Sequence, residues 1–91
     1  IHGFPTSSYD WAKLWPALAR RHRLLAIDML GFGLSDKPAV FGYRIAASAD
    51  QWVAAALAHG IVETDVLAHD YGDTVAQELL ARQQEGTLPF R

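Results

Sequence analysis

A short apolar run, Val66 to Ala68, leads into a helical pattern that begins near Gly72, with no room for a loop between them. A strand that becomes a helix over so few residues has to turn sharply at Asp70. Such a turn strains the residue at its apex and crowds the residues two positions away, so those two must be small. Ala68 and Gly72 meet that requirement. The apical side chain then projects clear of the sheet, at the positive end of the following helix.

The rest of the chain agrees with this reading. His2 to Asp10 is rich in Gly, Pro, Ser and Thr and reads as a loop. Trp11, Leu14, Trp15, Leu18 and Ala19 then recur at helical spacing. Pro16 inside that pattern predicts a kink, or a turn followed by a helix with Pro16 in its first turn. Leu24 to Ile27 is a continuous apolar run of the kind buried on both faces of a parallel sheet. Asp28 to Pro38 is a glycine-bearing loop. A helix is expected from Ser48 as N-cap to His59, stopped by Gly60, with Trp52, Val53, Ala56 and Leu57 inward. A last helix runs from Gly72 to about Gln84, with Val75, Ala76, Leu79 and Leu80 inward and Gln77, Arg82 and Gln83 outward. Strands alternating with helices predict an α/β fold with a parallel sheet, in one unit spanning residues 1–91 without an internal boundary.

Composition narrows the function classes. Half of the 91 residues are apolar (51%), as in a globular domain, and a chain this short buries only a thin core. A net charge of -2 gives no reason to expect nucleic acid or an anionic membrane as partner. The one basic run, Arg20-Arg21-His22-Arg23, suits a helix end, where positive charge complements the dipole. Without cysteine there is no disulfide framework or thiolate site, which fits a cytoplasmic address. No apolar stretch is long enough to span a membrane. The chain starts at Ile1, and both ends read as cut, so a lost leader would leave no trace.

Asp70 admits two readings from residue chemistry. An Asp just before a helix commonly caps it. An ionised Asp at a sharp apex, favoured by the helix N-terminus and nearby amides, can instead attack carbon and form an ester without a base to activate it. Asp73, in the first turn, suits a charge complementing the dipole, and His69 suits a buried, hydrogen-bonded imidazole. His69, Asp70 and Asp73, with His2 or His59, could also be read as metal ligands. Adjacent residues at a strand end point opposite ways, however, so ligand spacing on one face is missing and no metal is expected. Asp28 to Asp36 lacks the third glycine of a dinucleotide fingerprint, and no Gly-Lys-Ser/Thr phosphate loop is present. Gly31, Gly33, Asp28 and Ser35 are therefore assigned to scaffold.

Three motifs taken in order, His2-Gly3-Phe4-Pro5, Asp28 through Asp36, and His69-Asp70-Tyr71-Gly72-Asp73, resemble the α/β-hydrolase superfamily. Within it the chain is similar to the epoxide hydrolase and haloalkane dehalogenase branch, closest to the mesoderm-specific transcript protein-like group. The resemblance implies an N-terminal part of that fold: the end of strand 3, helix A, strand 4, helix B, strand 5, a nucleophile elbow and helix C. It also implies that Asp70 is the nucleophile, that the backbone N–H groups of Phe4 and Tyr71 form the oxyanion hole, and that Phe4 and Tyr71 border a small apolar substrate. No cofactor is implied. Tyr71 replaces the Trp usual in both enzyme types. Phe4 carries no side-chain donor where dehalogenases often have Asn, so epoxide chemistry is favoured over dehalogenation. A ligand-binding protein that has kept the fold and lost the chemistry is the competing reading. The histidine and its orienting acid belong to later strands in this family, so these 91 residues alone are expected to be inactive. The strands at Leu24–Ile27 and Val66–Ala68 are expected to flank a gap or be forced to pair, because only the last residue of strand 3 precedes them.

Overall fold

The structure, a computed structural model, describes residues 1–91. Its regular elements are a 3₁₀ turn at Ser8–Trp11 and three helices, α1 (Trp15–Ala19), α2 (Ile45–Ala58) and α3 (Tyr71–Gln84). Of the two outcomes that Pro16 allowed, the second is found: a short turn, then α1 with the proline in its first turn.

α2 begins one turn earlier than its expected Ser48 cap. Ile45, Ala49, Trp52 and Ala56 recur at helical spacing on one face, and Ile45 packs on the core, so burial extends the helix back to Arg44. Ser48 is buried inside it, with its amide on the Arg44 carbonyl. The C-terminus stops where expected: Gly60 turns at φ 68°, and the Ile61 amide closes back on the Ala56 carbonyl. Arg23, from the basic run, donates to the His59 carbonyl at 3.0 Å and so complements the end of α2.

α2 and α3 pack together around Ile1, Met29, Ala49, Trp52, Val75 and Leu79. Leu57 and Leu80, expected inward, are 52% exposed, because each helix has only this one neighbour to cover it. Arg82, expected outward, is instead half-buried and joins the helices. It reaches Asp50 at 2.7 Å, Glu78 at 2.9 Å and the Ala46 carbonyl at 3.2 Å.

The expected strands do not form. The backbone of Leu24–Ile27 makes no hydrogen bond, and Val66–Ala68 has one neighbour, Ile1. The Ile1 nitrogen donates to the Leu67 carbonyl at 2.6 Å and its carbonyl accepts from the His69 amide at 3.2 Å. Those two bonds have the alternation of parallel pairing, with Ile1 opposite Ala68. A strand needs a partner along its length, and one residue supplies a single rung. Between the two segments lies an apolar groove of about 160 Å³, bordered by Leu24, Leu25, Val66, Leu67, Trp52 and Leu79. The buried indole N–H of Trp52 has no partner.

No helix is long and apolar enough to cross a membrane.

Candidate functional site

Asp70 sits at the apex between Val66–Ala68 and α3, with φ 58° and ψ -122°. A non-glycine residue there is strained, by about 1–3 kcal/mol in general. At Gly72 a small residue is required, as expected. A Cβ on Gly72 would lie 2.6 Å from the His2 carbonyl oxygen and closer still to that of Ile1. α3 therefore starts directly against the backbone that enters the first loop.

Asp70 occupies the N-cap position but makes no side-chain capping bond. Its Oδ1 accepts instead from the Phe4 amide at 2.9 Å, 66 residues away. That amide, and after it the adjacent Tyr71 amide, holds the exposed carboxyl below the usual carboxylate range, with a smaller contribution from His69. Phe4, distant in sequence, thus meets the adjacent pair Asp70 and Tyr71 at one carboxylate.

The first loop is shaped for this contact. Gly3 passes so close to Asp70 that a Cβ on it would lie 2.6 Å from the Asp70 Cβ. The Phe4–Pro5 peptide is cis, and Pro5 leaves the Phe4 amide free to donate. The Phe32 ring lies 6.1 Å from Phe4 and 5.8 Å from Tyr71. Phe32 and Tyr71 pack against the core, while Phe4 is 67% exposed beside Asp70.

Asp28 ties the first loop to the glycine loop. Its Oδ1 accepts from the Ser8 amide at 2.8 Å and the Ser8 hydroxyl at 2.7 Å, and its Oδ2 from the Leu34 amide at 2.9 Å. The Leu34 amide first, then the two Ser8 donors, hold this carboxyl below the ordinary range. The resulting stabilisation is complete above the ordinary carboxylate value and is lost as pH falls through the lower folded value. Asp28→Asn is expected to make the Ser8 and Leu34 amides exchange with solvent about tenfold faster at pH 7. Hydrogen-exchange NMR checks this.

One expectation about a histidine is corrected: His69 is exposed rather than buried, at the end of a segment whose Val66 and Leu67 are themselves half exposed. His2, in the first-loop motif, is fully buried, with both ring nitrogens engaged within the protein. No group of three or more His, Asp or Glu side chains converges as a metal site would require. The tie from Asp28 to Ser8 and the burial of His2 escaped sequence reasoning. Each joins segments about 20 or more residues apart, and only the polar residue next to a glycine loop could have hinted at them.

Comparison with known proteins agrees with the motif order. Residues 1–86 match the family described as alpha/beta hydrolase fold. The human mesoderm-specific transcript homolog protein is 52% identical over 93% of this chain and 26% of its own length. LipZ of Mycobacterium tuberculosis is 43% identical over 99% of this chain and 31% of its own. Epoxide hydrolase B of the same species is 40% identical over 84% of this chain and 22% of its own. The chain thus spans about a quarter of the length of the curated relatives it matches. With the match covering nearly the whole chain, it belongs to the α/β-hydrolase fold family.

Proposed function

We propose that these residues are the N-terminal part of a hydrolase that acts through an Asp70 ester on a small apolar electrophile, an epoxide first. The observation that carries this reading is the carboxylate of Asp70, held at a strained apex by the Phe4 amide and not spent on capping α3. Relatives named as epoxide hydrolases, at 36% and 40% identity, support the choice of substrate class.

In the proposed reaction Oδ2 of Asp70 adds to an epoxide carbon as the ring C–O bond breaks. The released alkoxide takes a proton from an acid, leaving an alkyl ester. Water, giving its proton to a base, then attacks the ester carbonyl. The ester C–O bond breaks, the departing alkoxide takes that proton to leave as the diol, and the second water proton is released as the Asp70 carboxylate is restored. Charge develops on Oδ1, where the Phe4 amide already points and the Tyr71 amide lies adjacent. Donors placed in advance of that charge are worth several kcal/mol. A base must activate the water. His2 has both nitrogens engaged, and the family resemblance puts the base and its orienting acid on later strands. The base and its acid therefore come from outside these residues, which alone are expected to be inactive.

The second reading is a ligand-binding protein with the same fold. It is favoured by one observation: the relatives above 50% identity carry names that state no activity. A single turnover of the whole protein with a labelled aryl epoxide, quenched in acid, separates the two. Mass spectrometry is expected to find the label on the peptide containing Asp70 and to lose it in Asp70→Ala. A folded protein that forms no adduct and turns over neither epoxides nor haloalkanes would favour binding.

A further inference from the structure

The two nitrogens of His2 make different bonds. Nε2 faces the Met29 amide at 3.1 Å, and Nδ1 faces the Gly3 carbonyl at 2.8 Å. An amide can only donate and a carbonyl can only accept, so these partners assign the ring proton to Nδ1. The ring is fully buried and meets the Phe32 edge at 5.0 Å.

The Gly3 carbonyl that His2 holds belongs to the same peptide unit as the Phe4 N–H. That unit is planar, with its oxygen and hydrogen on opposite sides, so fixing one fixes the direction of the other. His2 grips the carbonyl side, and Asp70 Oδ1 receives the amide side at 2.9 Å. The only other donors to the Gly3 oxygen, the amide and hydroxyl of Thr6, are long, at 3.4 and 3.3 Å. Bonds chained through one peptide also polarise each other, strengthening the amide as a donor.

We infer that His2 is a positioning residue: anchored by the Met29 amide, it orients the Gly3–Phe4 peptide so that the Phe4 N–H is aimed at the Asp70 carboxylate. The catalytic consequence rests on the role proposed above for Asp70; the orientation itself does not.

The test separates the two bonds of the ring in the whole protein. His2→Phe keeps the ring and its contact with Phe32 but neither bond. His2→Gln can reach the Met29 amide only. His2→Asn presents a side-chain N–H at the place of Nδ1 and can serve the Gly3 carbonyl. Asp70 titration, followed by carboxyl ¹³C NMR, is expected to move up toward the ordinary range in the Phe and Gln variants and to return in the Asn variant. Epoxide turnover is expected to follow the same order, with kcat down about 10²-fold in the first two and KM little changed. Equal titration in all four proteins, or a Phe variant that matches the parent while Asn does not, would assign His2 to packing and overturn the inference. The parent protein offers a check that needs no variant: ¹⁵N shifts of the imidazole must show Nδ1 protonated and Nε2 bare, and the reverse tautomer refutes the proposal. A variant-dependent Asp70 titration in a protein that forms no ester would leave His2 in this role and remove only the reaction.

Discussion

Asp70→Ala is expected to lower epoxide turnover by about 10⁴-fold or more, the scale of losing a nucleophile. Asp70→Gly is expected to lose as much activity and yet unfold at higher urea concentration than the parent. At φ 58° an aspartate is strained, whereas glycine adopts that conformation readily, so the glycine variant should gain about 1 kcal/mol. The carboxylate is exposed and its bond to Phe4 is a surface bond, so little stability goes with it. Opposite movements of activity and stability at one position would mark Asp70 as a residue kept for its chemistry. A glycine variant less stable than the parent would assign it to structure. Steady-state kinetics and urea titration on the same preparations decide the matter.

Gly72→Ala is expected to cost about 3 kcal/mol or more, at the upper end of what one added methyl does in a packed site. The atoms it would strike are the Ile1 and His2 carbonyl oxygens, both backbone, with no side chain free to swing away. α3 would have to shift as a body, and the Phe4–Asp70 bond would lengthen with it. Gly86→Ala is the control. Its φ of 74° disfavours a side chain, unlike the helical Gly72, but a Cβ there meets nothing, so about 1 kcal/mol is expected from the backbone alone. A Gly72 loss no larger than that of the Gly86 variant would mean that the close approach to the Ile1 and His2 carbonyls does not govern Gly72.

The elements written into local sequence were legible. The run of small and apolar residues around Asp70, the spacing of Val75 and Leu79, and Gly60 after α2 each act through near neighbours, and each is found. Ser48 has the chemistry of a cap, which puts the expected start of α2 one turn too late. What decides is that Ile45 lies on the same face as Ala49 and Trp52. Strands failed for a different reason. Leu24–Ile27 has the right composition, but its hydrogen bonds must come from elsewhere, and no periodicity states whether a partner is there. At the candidate site, only the family resemblance joins Phe4 to Asp70 and Tyr71, since no local pattern links residues so far apart. The buried His2 and the reach of Asp28 to Ser8 are tertiary facts with no local pattern to announce them.

The bond between Phe4 and Asp70 closes a loop of 66 residues, as does that between Ile1 and Leu67. Both therefore come at an entropic cost that local helix formation does not carry. α2 and α3 can gather early from short-range contacts, whereas the carboxylate meets its amide only when the first residues return to the last helix. The timing follows from the topology. In refolding, a probe on Phe4 should report the slowest structural step, and the site should be absent from any intermediate in which the two helices have already formed.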